Sequence, residues 1–91
     1  MNQQQFEARL RLLPCVVGFH IGQECRCEEL HHAGPHDERD DMNQVPLCQA
    51  HHTGPMGVHG LHRRAFERHY RLSDFKMLAI TRRLYLKEFN A

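Results

Sequence analysis

The 91-residue sequence has no long apolar run, almost no net charge, and neither internal repeats nor low-complexity segments. A membrane span needs about 18 consecutive apolar residues, so the absence of such a run predicts no span. The polar residues 1–6 lack the charged-then-apolar layout of a signal peptide. We therefore expect a cytoplasmic protein whose thiols stay reduced. A formal net charge of +1 does not by itself indicate a nucleic-acid-binding protein.

Histidine and cysteine are abundant, with nine and four residues. The length allows a single domain over residues 1–91, and such a small domain buries only a limited core. An apolar content of 41% and a charged content of 25% argue against disorder. Small domains often need a metal ion or disulfides as a staple. Because reduced thiols are expected, we interpret the four cysteines as metal ligands.

The residue pattern predicts a small α+β domain. Residues 2–13 have helical apolar spacing, with Asn2 as a candidate N-cap and Pro14 as the stop. Residues 16–21 favour a strand, and residues 25–32 favour a return strand, so the two would form a hairpin.

The second half of the chain is predicted to be mostly helical. Residues 33–44 form a loop with a Gly-Pro step and a charged run, and residues 53–57 break any long helix. Helix formers resume over residues 60–70, and Ser73 is a good N-cap for a last helix over about residues 74–89. That helix carries a wide apolar stripe, which is typical of a core contact or of a homodimer surface.

Charge is distributed unevenly along the chain. Residues 1–59 hold four basic and eight acidic side chains, whereas residues 60–91 hold eight basic and three acidic ones. A basic segment of this kind can hold DNA phosphates through counterion release, and the candidate DNA-binding residues are Arg63, Arg64 and Arg68. A solvated helix face is the alternative interpretation.

An ordered set of motifs resembles the HNH nucleases, which have the ββα-metal (His-Me finger) fold. The set consists of Leu13-Pro14-Cys15, His31-His32, Asn43, Pro46-Leu47-Cys48-x-x-His51-His52 and Gly57-Val58-His59-Gly60. The resemblance covers about residues 13–84. Within the HNH nucleases the sequence is most similar to the small phage-type branch that includes the recombination-enhancement, RecA-dependent nuclease. It implies an HNH core over about residues 13–70 with flanking N- and C-terminal helices.

The resemblance implies a role for each matching residue. His32 corresponds to the general base that activates water, and Asn43 to the middle asparagine that steadies the base or the hairpin. The ligands of a catalytic divalent metal, Mg²⁺ or Mn²⁺, correspond to His31, His52 and His59. Among the other histidines His62 is an alternative to His59, and we interpret the rest as surface or core residues, namely His20, His36 and His69.

Strand alternation separates the two histidines of the pair. Glu29 and His31 would share one face with Cys25 and Cys27, and His32 would lie on the other. One imidazole can then bind metal while the other accepts a proton from water, since the ordinary histidine pKa is about 6.5. The assignment of the two roles to His31 and His32 is implied by the resemblance.

Many HNH proteins also hold the hairpin to the helix with a four-ligand zinc knuckle. Cys48-x-x-His51 has the spacing of one half of such a site. Cys15 begins the other half, but the residue three positions later is Gly18 instead of a cysteine. The missing thiolate would come from Cys25, with Cys27 as the close rival and His20 as a third choice. The predicted structural zinc ligands are thus Cys15, Cys25, Cys48 and His51, and buried free thiols are the alternative.

The resemblance predicts a metal-dependent endodeoxyribonuclease that hydrolyses DNA phosphodiester bonds and is encoded by a phage or prophage in a bacterial host. It implies DNA as a partner, a role in recombination and contact with a RecA-type filament. Two other classes stay open. A non-catalytic zinc-stabilised DNA-binding or adaptor module would bind zinc and DNA without cleavage. A structural protein would assemble through the C-terminal helix.

Overall fold

The computed structural model describes residues 1–34 and 41–89, which contain six helices and a two-stranded antiparallel sheet. The predicted α+β class is confirmed at this level. Residues 35–40 of the predicted loop over residues 33–44, which include His36, lie outside the described residues. In chain order the elements are α1 (Gln3–Leu10), α2 (Val16–Ile21), β1 (Glu29–His32), β2 (Gln44–Leu47), α3 (Gln49–His52), α4 (Val58–Leu61), α5 (Arg63–Tyr70) and α6 (Asp74–Phe89).

Helix α1 begins at the predicted cap and ends earlier than predicted. Asn2 Oδ1 accepts a hydrogen bond from Gln5 N (2.8 Å), and Gln5 Oε1 accepts one from Asn2 N (3.0 Å), which is a capping box. At the other end Leu13 N donates to Leu10 O (3.1 Å), a tighter turn that closes the helix. Pro14 has no N–H to donate, so the helix ends before it.

The predicted strand over residues 16–21 is wrong, because this segment is the helix α2. Phe19 N donates to Cys15 O (2.8 Å), and the two adjacent valines of the segment are fully buried. Gly22 ends the helix in the left-handed conformation (φ 78°), which glycine adopts without steric cost. The β-branched side chains favour a strand only weakly, and the contacts of α2 with β2 and α6 override that preference.

The predicted pairing of residues 16–21 with the return strand over residues 25–32 is therefore also wrong. Strand β1 pairs with β2, and in this register His31 lies opposite Val45 and His32 lies opposite Gln44. Of the predicted return strand over residues 25–32, only the β1 residues form a ladder. The β2 strand is short, buried along its whole length and contains Pro46, so it lacks the polar–apolar alternation that identifies a half-exposed strand.

The remaining helices follow the predictions with one exception. Residues 53–57 separate α3 from α4, and α6 has the predicted bounds, with Ser73 Oγ accepting from Lys76 N (3.0 Å). The predicted helix over residues 60–70 is interrupted at His62, which divides α4 from α5. The backbone of His62 has φ 66° and ψ 161°, a conformation that costs on the order of 1–3 kcal/mol for a residue with a side chain.

The core lies between the sheet and the helices α2, α5 and α6. Its largest fully buried side chains include Phe66 on α5, Met77 on α6 and Leu47 on β2. The apolar stripe of α6 is buried at Met77 and half-buried at Ile80 and Leu84. Phe75 (82% exposed) and Leu86 (54% exposed) lie on the other face of the helix. None of the helices described is long and apolar enough to span a membrane. This packing fixes β1, β2 and α3 relative to one another.

Two candidate metal centres

The first cluster contains three cysteines and one histidine from three separate segments. Cys15 caps the start of α2, Cys25 follows α2, and Cys48 and His51 lie at the start and within the single turn of α3. The Cys48 Sγ also accepts a hydrogen bond from His51 N (3.4 Å), which places both side chains on the same side of that turn. The four potential ligand atoms lie within 4.8 Å of one another. We refer to this set as the Cys₃His cluster.

The distances within the Cys₃His cluster fit a tetrahedral ion. The His51 Nδ1 atom lies 3.5 Å from Cys15 Sγ, 3.7 Å from Cys25 Sγ and 3.2 Å from Cys48 Sγ. Zinc bonds of about 2.3 Å to sulfur and 2.1 Å to nitrogen, arranged tetrahedrally, separate S from N by about 3.6 Å. The Cys₃His cluster can therefore hold a structural metal such as zinc.

The electrostatics of the cluster also favour a cation. Burial raises the pKa of the Cys15 thiol, and burial together with the charges of Cys15 and Cys48 raises the pKa of Cys25 to about 11. Without a metal these two thiols thus resist ionisation, because neighbouring thiolates would share one desolvated space. Burial lowers the pKa of His51, which keeps its imidazole neutral and able to act as a ligand.

The two rival ligands named from the sequence do not belong to the Cys₃His cluster. The Cys27 thiol donates instead to Glu29 O (3.5 Å), and His20 Nε2 lies 3.0 Å from Tyr70 O. The Tyr70 ring packs edge-on against His51, with ring centroids 5.8 Å apart. Among the described residues, the structure therefore brings Cys25, and neither rival, to the three remaining ligands.

The second cluster consists of His31, His52 and His59, which we call the three-histidine cluster. His31 comes from β1, His52 ends α3, and His59 lies in α4. The ring centroids are 5.2 Å apart for His31 and His52, 5.1 Å for His31 and His59, and 4.8 Å for His52 and His59. Their potential ligand atoms also lie within 4.8 Å of one another.

The three-histidine cluster opens into a pocket of about 390 Å³. Gly57 is the N-cap of α4, in a position where a Cβ atom would lie 2.7 Å from the His51 carbonyl carbon. This close approach of backbone to α3 brings His59 back toward β1. The pocket walls also contain His32, His62, Arg63 and Asp74. The arrangement leaves the cluster accessible to a ligand larger than water.

Burial favours the neutral, metal-binding form of two histidines in this cluster, His31 and His59. Burial, and then the charges of His52 and His59, lower the pKa of His31 to about 4. Burial and the His52 charge also lower the pKa of His59. Neutral imidazoles with free lone pairs suit Zn²⁺, Ni²⁺ and similar divalent ions, so the donor set fits a metal.

The predicted general base, His32, lies next to the three-histidine cluster but is not one of its members. His32 follows His31 on β1, faces the opposite way, and has a side chain that is 39% exposed. Its Nε2 atom lies 3.4 Å from Asp41 Oδ1. The Asn43 side chain does not contact it: Asn43 Oδ1 accepts from Arg82 Nη2 (3.3 Å).

The three predicted DNA-binding arginines all lie on α5 but face different surroundings. Arg63 lines the pocket and its Nε lies 3.5 Å from Glu67 Oε1. Arg64 and Arg68 are exposed. Only Arg63 is therefore adjacent to the three-histidine cluster.

Three acidic residues near the pocket were missed as functional candidates. Glu29 Oε1 lies 2.8 Å from His52 Nδ1, Asp41 contacts His32, and Asp74 Oδ2 accepts from Gly34 N (2.9 Å) at the pocket wall. Strand alternation places Glu29 on the face of His31 and was the available signal for it. The other two contacts join distant segments, and no local pattern indicates them.

Comparison of the chain with family models, with curated proteins and with solved structures gives no match.

Proposed function

We propose that the protein is a metal-dependent endonuclease of the HNH type, which hydrolyses DNA phosphodiester bonds. The observation that carries the proposal is the convergence of three imidazoles in an open pocket, with His32 on the neighbouring strand position at its rim. Chain order adds support, because two antiparallel strands are followed directly by α3, the element order of a ββα-metal core. The three-histidine cluster would hold the divalent ion.

The proposed base has a hydrogen-bond partner that orients it. When His32 Nε2–H donates to Asp41 Oδ1, Nδ1 is left as the proton acceptor. A positioned imidazole of this kind can take a proton from the attacking water near neutral pH. His31 leaves the other face of β1 and belongs to the three-histidine cluster, and His32 reaches the same pocket at its rim.

The bound ion would supply one kind of chemistry, stabilisation of the negative charge that develops on the phosphate and the leaving oxygen. The protein side chains would then position the DNA. Arg63 lies in the pocket wall, where its guanidinium can pair with a phosphate next to the cleaved one. Arg64 and Arg68, exposed on the same helix, extend the positive surface away from the pocket. Contacts of this type fix position and carry little sequence information.

We assign Asn43 to the hairpin and not to the base. Its backbone oxygen accepts from Ala33 N (2.9 Å), which extends the β1–β2 ladder by one bond. Its side chain accepts from Arg82 on α6 (3.3 Å). These two bonds tie the loop end of the hairpin to the C-terminal helix and so hold His32 in place indirectly.

The Cys₃His cluster would bind structural zinc and act as the staple that a small core needs. It joins the start of α2, the segment after α2 and the turn α3, so zinc would hold α3 against the rest of the fold. Because α3 also carries His52, the staple would support the three-histidine cluster. The phage setting and the RecA-type filament stay predictions from the resemblance. The homodimer and the cytoplasmic location stay predictions from the residue pattern.

A zinc-stabilised DNA-binding or adaptor module without catalysis is the second candidate. The Cys₃His cluster supports this module and the nuclease equally, because a structural zinc ion would stabilise the fold in either case. The two functions differ in the three-histidine cluster, which a binding module does not need.

Plasmid nicking separates the two candidates. The zinc-loaded protein is incubated with supercoiled DNA in Mg²⁺, Mn²⁺, Ni²⁺ and Zn²⁺, with EDTA as the blank. We expect nicked and linear products from the wild type, none with EDTA, and a large loss for His32→Ala. His69→Ala is the matched control, because His69 is an exposed histidine of α5 that belongs to neither cluster. DNA binding without nicking in any of the metals would favour the module.

A further inference from the structure

The shortest contact to a member of the three-histidine cluster comes from a carboxylate. Glu29 Oε1 lies 2.8 Å from His52 Nδ1. The two side chains are 42% and 14% exposed, so the contact is partly shielded from water. The Glu29 carboxylate is not among the ligand atoms of the cluster, all of which lie within 4.8 Å of one another. Glu29 therefore contacts a ligand without being placed as one.

This contact decides which nitrogen of His52 can bind an ion. A neutral imidazole carries a hydrogen on one nitrogen and a lone pair on the other. A carboxylate only accepts, so Nδ1 next to Glu29 must be the N–H donor. The Nε2 atom is then the one that keeps a lone pair for an ion.

The sheet places Glu29 where it can do this. Glu29 and His31 are two positions apart on β1, so their side chains leave the same face of the strand. Glu29 pairs in register with Leu47, two residues before α3 begins at Gln49. The strand thus presents a ligand and a carboxylate together to the helix that carries His52.

We propose that Glu29 is a positioning residue of the metal centre, which orients His52 and fixes it in the Nδ1–H form so that Nε2 binds the ion. The inference rests on the proposed function, because it assigns the metal to the three-histidine cluster. Carboxylates that accept from metal-bound histidines typically contribute about 10- to 100-fold to metal affinity. The negative charge of Glu29 would also partly balance the ion.

The test measures metal binding and tautomer without DNA. Protein that carries one zinc ion per chain, in the Cys₃His cluster, is titrated with Mn²⁺, and the loss of the free-ion EPR signal reports binding. We expect Glu29→Ala to weaken Mn²⁺ binding by about 10- to 100-fold and Glu29→Gln to weaken it less, because its amide oxygen still accepts from Nδ1–H. Glu28→Ala is the matched control, since Glu28 also contacts α3, through Gln49 N (3.1 Å), and does not contact His52.

The second readout is a long-range ¹H–¹⁵N spectrum of protein without Mn²⁺. Recorded at about pH 8, where a histidine of ordinary pKa is neutral, it distinguishes the two tautomers. We expect Nδ1–H for His52 in the wild type and in Glu29→Gln, and a shift toward Nε2–H in Glu29→Ala. Should Glu29→Ala fail to fold, which its zinc content and circular dichroism reveal, the wild type and Glu29→Gln decide the question.

Three results would overturn the assignment: wild-type His52 in the Nε2–H form, equal Mn²⁺ affinity in the wild type and Glu29→Ala, or an equal loss in Glu28→Ala. A wild type that binds no Mn²⁺ would overturn it together with the proposed metal centre. Failure of plasmid nicking alone leaves both readouts intact, so it would count against the nuclease and not against the role of Glu29.

Discussion

Two cysteines only two positions apart are predicted to lose very different amounts of stability on the same substitution. Cys25 and Cys27 are both partly buried and both follow α2. The Cys25 sulfur lies 3.7 Å from His51 Nδ1 within the Cys₃His cluster, whereas the Cys27 thiol donates to Glu29 O (3.5 Å). Cys25→Ala removes a zinc ligand, and Cys27→Ala removes only a weak hydrogen bond.

The expected magnitudes are well separated. A structural zinc site contributes about 10–16 kcal/mol at neutral pH, so the loss of one ligand in four is expected to cost about 3 kcal/mol or more. A folded chain of this length has a total stability of about 5–14 kcal/mol, so that loss is a large part of it. At about 4–8 °C per kcal/mol, Cys25→Ala lowers the Tm by about 12 °C or more. Cys27→Ala costs at most about 1 kcal/mol, which is less than about 8 °C.

Calorimetry and elemental analysis of the purified variants measure both effects. The wild type and Cys27→Ala are expected to contain one zinc ion per chain, and Cys25→Ala is expected to have lost most of it. Zinc retained in Cys25→Ala together with zinc lost in Cys27→Ala would exchange the two roles and refute the reasoning. Equal Tm values and no zinc in all three proteins would rule out a structural zinc ion in the Cys₃His cluster.

Three further predictions follow from individual contacts. In protein without the divalent ion, burial and two neighbouring imidazoles lower the pKa of His31 to about 4. The free energy of unfolding is therefore highest above pH 6.5 and decreases as the pH falls toward 4, because the unfolded chain then binds a proton that the folded chain does not. Urea unfolding should therefore show the wild type losing about 3 kcal/mol more than His31→Asn over that window, and parallel pH profiles would contradict it. Gly18→Ala would place a Cβ atom 2.7 Å from Cys25 Sγ, so both the Tm and the zinc content should fall, and a variant unchanged in both would count against the packing. If Arg64 and Arg68 contact phosphates, each change to alanine lowers the slope of log affinity against log salt by about 1, as a fluorescence titration at several salt concentrations measures; unchanged slopes would remove them from the interface.

The parts of the structure predicted from the sequence depend on short-range chemistry. The cap of α1 at Asn2, the start of α6 after Ser73 and the Cys48–His51 pair each lie within a few residues, where spacing fixes geometry. The placement of Cys25 in the Cys₃His cluster matches the preferred choice among the three named from the sequence. That choice rests on Cys25 preceding the return strand, and the observed strand β1 begins at Glu29.

The parts that were not predicted depend on contacts between distant segments. The two valines of α2 favour a strand locally, but their burial against β2 and α6 determines the outcome. The partner of β1 was missed because β2 is short, wholly buried and contains Pro46. The contacts of Asp41 with His32 and of Arg82 with Asn43 follow from this pairing and from the position of α6, so no local pattern could have indicated them.

The central claim is that His32 acts on a phosphodiester beside a metal held by the three-histidine cluster. The most direct test is the single-turnover rate of plasmid nicking by the wild type and His32→Ala at matched Mn²⁺ occupancy. A general base contributes about 10²- to 10⁴-fold, so the variant is expected to bind Mn²⁺ normally and to nick DNA slower by that factor. Nicking by His32→Ala at the wild-type rate, or no nicking by the wild type in any divalent metal, would contradict the claim.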